Sequence, residues 1–228
     1  MDAKPEGVLL IGAGGLGCAV ALALTLGTLS RLGVVDSDQV SLSNLHRQIL
    51  YRVDDIGRDK VTQVAESMRA LSPQMEVNCH VRRLDSVEAI AELARGYAVI
   101  IDASDNFTTR FAANDAAIQT GITLVHGAAI GFRGQLMTIV PGSDACLRCL
   151  FGAPPVEEGP TCQNQGVFGP LVGEVGWLMA LEAIKLIRGG HPLRNRMLTL
   201  DALSGKRRIV PVPPNPQCIC QHVSVSEK

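Results

Sequence analysis

The sequence has 228 residues, 46% of them hydrophobic, with 21 basic and 22 acidic side chains. That length and apolar content suit one large α/β domain, since single cores stop growing only near ~250 residues. The near-zero net charge gives no electrostatic signal for nucleic-acid binding. A membrane span is not predicted either, because no uncharged apolar segment approaches the ~20 residues that it requires.

The chain opens on a pattern of strand, glycine turn and helix. An apolar run, Val8 to Ile11, precedes a GxGxxG motif and then a stretch of helical composition, 18–26. The glycines of the turn are Gly12, Gly14, Gly15 and Gly17. Such glycines let the backbone approach phosphate groups closely, and a helix N-terminus favours anionic charge. A second apolar strand, 32–35, ends in Asp36, where a ribose-binding carboxylate is expected. The pattern predicts an adenine-nucleotide site; a tight turn with a surface aspartate is the alternative.

A polar segment with paired cations follows. It contains Ser43, Asn44, Arg47 and Gln48. Downstream, Lys60 opens a pattern in which apolar residues recur at helical spacing as far as Leu71. The guanidinium of Arg47 can bind two phosphate oxygens, and Lys60 can act as a point charge beside them. Paired cations suit a triphosphate better than a hydride-transfer pocket, whereas a solvated surface charge is the alternative for either residue alone.

Two further strands are predicted at 75–81 and 97–101. The second of them is followed by Asp105, and ligands bind beyond the carboxyl ends of strands in open α/β sheets. Mg²⁺ is usually held by one or two carboxylates together with substrate phosphates, so Asp105 is a candidate ligand. Asp102 either ends the strand or caps the helix predicted at 106–120.

The second part of the chain has a different pattern. Strands of a more antiparallel region are predicted at 135–140, 197–201 and 207–212, and an apolar helix of low charge at 169–187 suits a buried or dimer-facing position. The predicted fold is α/β: a Rossmann-like, mostly parallel sheet flanked by helices, extended by a more antiparallel C-terminal part.

Two cysteine pairs predict a metal clamp. Cys146 and Cys149 form a CxxC, and Cys218 and Cys220 lie near the C-terminus. A tetrahedral zinc site needs about four such ligands, so the two pairs would tie the end of the chain to its middle. Cys162 stands alone in a stretch bounded by glycine and proline, which is typical of an exposed loop. The odd total of seven cysteines, with no signal peptide pattern, favours a reducing cytoplasm.

Together these motifs resemble the ThiF, MoeB and HesA adenylyltransferases, bacterial relatives of the ubiquitin-activating enzymes. The likeness extends over about residues 7–221, and ThiF is the most similar member, particularly at 47–50 and 131–137. The residues that carry it are the glycine turn, Asp36, 43–48, Lys60, 104–106, 146–149 and 169–185.

The resemblance implies a reaction. The C-terminal glycine carboxylate of a ubiquitin-like sulfur carrier ending in Gly-Gly attacks the α-phosphate of MgATP, giving an acyl-adenylate and pyrophosphate, in support of thiamine or related cofactor biosynthesis. By carry-over, Gly15 and its glycine neighbours approach the phosphates, Asp36 holds the ribose, and Asp105, beside Asn106, binds Mg²⁺. The other side chains implied at the nucleotide are Ser43, Asn44, Arg47, Gln48 and Lys60, of which Asn44 and the two cations hold the phosphates.

The same resemblance implies further roles and partners. Cys162 matches a cysteine that links covalently to the activated carrier, with an inert loop thiol as the alternative. Zinc is expected on Cys146, Cys149, Cys218 and Cys220, although relatives end in CxxC where this chain has CxC, so His222 could replace one cysteine. The expected partners are the carrier, a second copy of the chain, and a sulfurtransferase or cysteine desulfurase as sulfur donor. A single domain is expected, with a nucleotide-binding half (1–127) and a second half (128–228) that holds a crossover loop, the carrier-binding region and the zinc clamp.

Family members usually carry an N-terminal arm whose arginine reaches the neighbouring subunit's ATP site, and only seven residues precede Val8. Either that arginine is dispensable, Arg52 or Arg58 replaces it, or the chain adenylates poorly. A binding-only partner subunit is therefore one alternative function. An NAD-dependent oxidoreductase is the other, although it would leave the phosphate-type cations and the cysteine clamp unexplained.

Overall fold

The computed structural model describes residues 7–25, 29–142, 144–154, 166–190 and 192–222. Cys162 lies outside these residues. Within them, eight strands form a single sheet. The strands are β1 (Val8–Ile11), β2 (Arg31–Asp36), β3 (Glu76–Val81), β4 (Val99–Asp102), β5 (Thr123–Ile130), β6 (Arg133–Ile139), β7 (Arg196–Asp201) and β8 (Lys206–Pro211).

Helices flank the sheet on both faces. The α-helices are α1 (Gly15–Leu24), α2 (Lys60–Leu71), α3 (Val87–Ala94), α4 (Phe107–Thr120), α5 (Leu147–Phe151) and α6 (Gly169–Ile187). Short 3-10 helices lie at Leu42–Asn44, Val53–Asp55 and Ile219–Gln221. None of the helices in the described residues combines the length and apolar character needed to cross a membrane.

The strand order is β3-β2-β1-β4-β5-β6-β7-β8. The first five strands of that order are parallel, and β6, β7 and β8 add to β5 in antiparallel register. The central strands β1 and β4 are buried along their whole length, as expected where helices cover both faces of a parallel sheet. The α/β fold with an antiparallel C-terminal extension is therefore confirmed.

Each face of the sheet has its own hydrophobic core. Leu10 of β1 packs with residues of α1, α2 and α6, whereas Leu9 packs with residues of α3 and α4. Alternate side chains of a strand point to opposite faces, so a four-residue strand contributes to both cores. Fully burying a leucine side chain contributes about 1.5–3 kcal/mol. The glycine turn after β1 is thus attached to a strand that is buried along its whole length.

The structure adds one strand that the sequence does not predict, and it decides between the two roles considered for Asp102. No strand is predicted at β5, because its apolar run is broken by Gly127 and by small residues. Asp102 ends β4 and does not cap the next helix; the cap of α4 is Asn106, whose Oδ1 accepts a 2.8 Å hydrogen bond from the amide of Thr109. The residues between Asp102 and the helix cap Asn106 therefore form a turn between β4 and α4.

Candidate functional site

A cleft of about 600 Å³ opens at the carboxyl ends of β1, β2 and β4. The chain leaves β1 and β4 toward opposite faces of the sheet there, which is where ligands bind in open α/β folds. The volume lies within the usual range for small-molecule sites. The predicted site residues that line the cleft are Gly12, Gly14, Gly15, Asp36, Asn44, Arg47, Gln48, Lys60, Asp105 and Asn106.

Close packing explains the glycine turn. Gly12 has φ +98°, and a Cβ atom there would lie 2.8 Å from the carbonyl oxygen of Ala103. A Cβ on Gly15 would lie 2.7 Å from Cγ1 of Val172, and one on Gly17 would overlap the Gly12 carbonyl oxygen. Gly17 is therefore needed for close packing inside the turn, and it does not line the cleft.

The start of α1 is open to an anion. Its N-cap, Gly14, makes no side-chain cap hydrogen bond, so no side chain of the helix start occupies its first amide groups. Those amides and the positive end of the helix dipole face the cleft, where they suit phosphate.

Asp36 anchors the same turn. Its Oδ2 accepts a 2.7 Å hydrogen bond from the amide of Ala13, and its Oδ1 accepts one of 2.8 Å from the amide of Asp38. Burial raises the pKa of Asp36 above its usual range, and the nearby Lys60 opposes the shift without cancelling it. The carboxylate therefore lies in the cleft in a fixed orientation.

Two cations face this carboxylate region. Lys60, the first residue of α2, is almost fully buried, and its Nζ donates a 2.7 Å hydrogen bond to Oδ2 of Asp38. Arg47 is half-buried, with Nη1 3.4 Å from the His46 ring. Gln48 is 3% exposed, and its Oε1 has no hydrogen-bond partner in the described residues. A buried carbonyl oxygen without a partner is costly, so this oxygen is available to accept a hydrogen bond from a molecule in the cleft.

Asp105 and Asn106, in the turn between β4 and α4, also line the cleft. Asp105 is exposed to solvent, while the Asn106 carbonyl is engaged in capping α4. Ser43 lies apart from this group: it is exposed, its hydroxyl contacts that of Ser41 at 3.2 Å, and it does not line the cleft. The structure thus brings together the predicted nucleotide residues except Gly17 and Ser43.

Three arginines of the cleft are missing from the sequence prediction. Arg82 and Arg83 directly follow β3, as Asp36 ends β2, and both line the cleft. Arg110 lies one turn into α4, where its Nε and Nη2 donate to the Ser104 carbonyl at 3.3 and 3.1 Å. The sequence signal that could have identified them is position: Arg82 and Arg83 follow a strand end, and Arg110 follows a helix cap.

The four cysteines of the predicted clamp form one cluster. Their sulfur atoms all lie within 4.8 Å of one another. The Sγ atoms of Cys146 and Cys149 are 4.0 Å apart, those of Cys146 and Cys218 3.6 Å, and those of Cys149 and Cys220 3.5 Å. Zinc–sulfur bonds of about 2.3 Å in a tetrahedron separate the sulfurs by about 3.8 Å. The cluster could therefore hold a metal such as zinc, and the exposed His222 is outside it.

The surroundings of the cluster favour thiolates in part. Burial raises the pKa of Cys220 to about 11 and that of Cys146 further. Burial also raises the pKa of Cys149, but the Asn215 amide, which donates to its sulfur at 3.3 Å, helps to hold the pKa below its usual value. Metal binding would displace protons from the cluster, since thiolates are the ligands.

Ion pairs fix both approaches to the cluster. Arg148, within the CxxC, binds both carboxylate oxygens of Asp115 in α4 at 2.8 and 2.7 Å. Arg194 binds both oxygens of the buried Asp144 at 2.6 and 2.9 Å. Bidentate pairs of this kind fix orientation as well as distance. The CxxC turn is therefore held in place by the protein itself.

Comparison with known proteins places this geometry in context. The model of the ThiF family matches residues 3–220. A sulfur carrier protein adenylyltransferase of Thermus thermophilus is 42% identical over 222 residues, covering 94% of this chain and 82% of that protein. An adenylyltransferase and sulfurtransferase of Zea mays, MOCS3-1, is 42% identical over 205 residues, covering 89% of this chain and 44% of that protein.

Solved structures share the fold. Escherichia coli MccB in its ATP complex superposes with a TM-score of 0.82 at 19% identity, covering 94% of this chain and 66% of that one. PaaA superposes with a TM-score of 0.73 at 21% identity, covering 92% of this chain and 64% of that one. The chain thus spans most of the Thermus protein but less than half of the maize relative.

Proposed function

This chain belongs to the ThiF family, and from that premise we propose that it adenylylates the C-terminal glycine of a ubiquitin-like sulfur carrier protein. The name of the Thermus relative supports this activity. One observation of the structure carries the proposal: the glycine turn, Arg47, Lys60 and Asp105 all line one cleft at the carboxyl edge of the sheet.

The reaction requires charge stabilisation more than proton transfer. A carboxylate oxygen of the carrier's C-terminus bonds to the α-phosphorus of ATP, the bond from that phosphorus to the bridging oxygen breaks, and pyrophosphate leaves with the electron pair. The attacking carboxylate is already ionised at neutral pH, so no general base is needed. Positioned cations and amide groups supply the stabilisation instead.

The cleft residues divide this work by position. The amides at the start of α1 and the guanidinium of Arg47 bind phosphate oxygens, and Lys60 neutralises charge that develops on the leaving pyrophosphate. Lys60 is oriented by Asp38, and Asp36, fixed by two backbone amides, accepts hydrogen bonds from the ribose. The unpartnered Oε1 of Gln48 accepts a hydrogen bond from the bound substrates.

Asp105 fits the magnesium expected with ATP. It places an exposed carboxylate in the lining of the cleft that also contains Lys60, and Mg²⁺ in such sites takes one or two carboxylates and fills its shell with phosphate oxygens and water. Bound Mg²⁺ would offset part of the phosphate charge. Asn106 supports Asp105 through the helix cap.

Zinc is the metal we assign to the cysteine cluster. Four sulfur ligands at tetrahedral spacing suit structural zinc, and all four positions are filled by protein. The cluster therefore serves stability, and the chemistry of the reaction stays in the cleft.

Sulfur transfer extends the proposal. Cys162 is the candidate nucleophile for the acyl-adenylate: its thiolate bonds to the carbonyl carbon, the bond from that carbon to the AMP oxygen breaks, and AMP leaves as a thioester forms. A sulfurtransferase or cysteine desulfurase is the proposed sulfur donor. We place the reaction in the cytoplasm, in thiamine or related cofactor synthesis, with a homodimer as the working form. Cys162→Ser tests this role. If Cys162 is the nucleophile, the variant loses sulfur transfer and keeps adenylation; unchanged sulfur transfer would overturn the role.

Exchange of labelled pyrophosphate into ATP tests the main proposal. The full chain is mixed with ATP, Mg²⁺ and a carrier ending in Gly-Gly, with the same carrier lacking its last glycine as control. Exchange that requires the intact carrier terminus supports the proposal, and its absence at saturating carrier overturns it. ATP binding without exchange favours a binding-only subunit, and binding of NAD without ATP favours an oxidoreductase.

A further inference from the structure

Beneath the glycine turn lies a buried tyrosine. The hydroxyl of Tyr51 donates a 2.6 Å hydrogen bond to the carbonyl oxygen of Ala13, 38 positions earlier in the chain. The thiol of Cys18 approaches the same oxygen at 3.7 Å. All three residues belong to the hydrophobic core between the sheet and α1. The carbonyl of Ala13 is therefore held toward the interior of the protein.

The hydrogen bond to the Ala13 carbonyl also fixes the direction of the Gly14 N–H, because both groups belong to the same peptide unit. In a planar trans peptide the C=O and N–H groups point in opposite directions. Because the Ala13 carbonyl is bound on the core side, the N–H of Gly14 points away from the core. Gly14 lines the cleft and is the N-cap of α1. Its amide is thus directed toward the ligand.

The preceding peptide unit is fixed in the same way. The Ala13 amide donates to Asp36 at 2.7 Å, which turns the Gly12 carbonyl toward Gly17, where a Cβ atom would overlap its oxygen. Ala13 is therefore held by a carboxylate through its N–H and by a phenol through its carbonyl. Two consecutive peptide planes are set before any ligand arrives.

We infer that Tyr51 is a positioning residue for nucleotide binding, which aims the Gly14 amide at a phosphate group by holding the Ala13 carbonyl. The inference rests on the proposed function, because it takes a nucleoside polyphosphate as the ligand of the cleft. Tyr51 does not line the cleft itself. Burial raises its pKa, so its hydroxyl stays protonated and remains a donor.

The sequence offers a matched control, since it contains two tyrosines. Tyr97 is as buried as Tyr51, at 5% against 6% exposure, but its ring packs against Gly33 of β2 and does not line the cleft. Tyr51→Phe and Tyr97→Phe each remove one buried hydroxyl. A general effect on folding appears in both variants, whereas an effect on the turn appears in the first alone.

The test measures the affinity of the full chain for ATP and for adenosine, by calorimetry and ligand-detected NMR. Tyr51→Phe is expected to weaken ATP binding roughly two- to twelve-fold, as for one lost hydrogen bond, and to leave adenosine binding unchanged. The ¹⁵N-amide shift of Gly14 on ATP addition is expected to shrink in the same variant. Tyr97→Phe is expected to behave as the wild type in all three measurements.

Two results would overturn the inference. One is ATP affinity and a Gly14 shift in Tyr51→Phe equal to those of the Tyr97→Phe control. The other is an equal loss of ATP and adenosine affinity, which would mean that the hydroxyl supports the site as a whole and not the phosphate contact. A wild-type chain that binds no ATP overturns instead the proposed function, so the two failures are distinguishable.

Discussion

The Nδ1 atom of His126 lies 2.8 Å from Oδ2 of Asp102, and both side chains are buried. The other carboxylate oxygen of Asp102 accepts hydrogen bonds of 3.0 and 2.5 Å from the amide and hydroxyl of Ser104. The Ser104 carbonyl in turn accepts from Arg110. Asp102 at the end of β4 and His126 within the neighbouring strand β5 thus organise the turn that presents Asp105 to the cleft.

This pair predicts loss of stability in acid. Burial raises the pKa of Asp102, but the hydrogen bond and charge of His126, with Arg110 and Ser104, hold it below its usual value. The depressed pKa contributes stability that is present above about pH 4 and lost as the pH falls through the folded-state pKa. Denaturant unfolding between pH 7 and pH 2 is expected to show a shallower acid loss in Asp102→Asn than in the wild type. The exposed Asp85→Asn serves as control, and equal slopes in the two variants would contradict the assignment.

Replacing His126, the partner of Asp102, is expected to lower the free energy of unfolding more than neutralising Asp102 does in Asp102→Asn. His126→Leu leaves the Asp102 carboxylate buried without its imidazole, and breaking a buried pair in this way costs about 3–5 kcal/mol. Chemical denaturation at pH 7 measures the loss. A change below about 1 kcal/mol would indicate that the pair is not a structural element of the turn.

Two glycines of α6 are expected to respond in opposite directions to the same substitution. A Cβ atom on Gly176 would lie 2.6 Å from Cβ of Ala19 in α1, whereas one on Gly173 meets nothing within 4 Å. Gly173→Ala is therefore expected to stabilise the protein by up to about 1 kcal/mol through helix propensity. Gly176→Ala is expected to destabilise it by about 1–3 kcal/mol through overpacking. Thermal unfolding of the two variants checks this, and a stabilised Gly176→Ala would refute the close helix contact.

The cysteine cluster is expected to bind about one zinc per chain. Cys146→Ser removes a ligand that contacts two of the other sulfurs, so the zinc content and the melting temperature should both fall. Cys79→Ser is the control, because Cys79 lies on the exposed edge strand β3 and outside the cluster. Elemental analysis that finds no metal in the wild-type protein would refute the assignment.

Lys60 and Arg58, two positions apart, should differ sharply in activity. Lys60 is buried in the cleft beside Asp38, whereas Arg58 pairs with Asp55 and Glu66 at the surface and does not line the cleft. Lys60→Ala is expected to lower carrier-dependent pyrophosphate exchange by roughly 10²–10³-fold, as for loss of one charge-stabilising group. Arg58→Ala is expected to stay within about two-fold, as is usual for surface positions. Comparable losses in both variants would mean that Arg58 reaches the nucleotide.

Local patterns account for the parts of the site that the sequence predicts. The glycine turn is readable because its residues are adjacent and its steric demand is intrinsic to the backbone. The two cysteine pairs are readable singly, but their approach to one another depends on the route of β7, β8 and the segment after them. That route follows from tertiary packing. The sequence therefore predicts that the two pairs meet, from the ligand number of zinc, but not the path by which they do so.

The parts that escaped prediction involve partners far apart in the chain. Tyr51 meets Ala13 across 38 positions, and Asp102 meets His126 across 24. Neither pair leaves a local pattern, because each depends on which strands and loops become neighbours. Gly127 interrupts the apolar run of β5, so the sequence does not predict even the strand that carries His126.

The cysteine cluster also determines how the molecule can fray. Strand β8 is exposed along its whole length and pairs on one side with β7, so on its own it would be the first strand to peel away. A few residues later the chain is joined to α5 through Cys218 and Cys220, the latter 71 positions from Cys149. With metal bound, opening of the sheet from its C-terminal end requires metal–sulfur bonds to break first. Strand β8, although it lies at the edge of the sheet, is then expected to separate from it as slowly as an interior strand would.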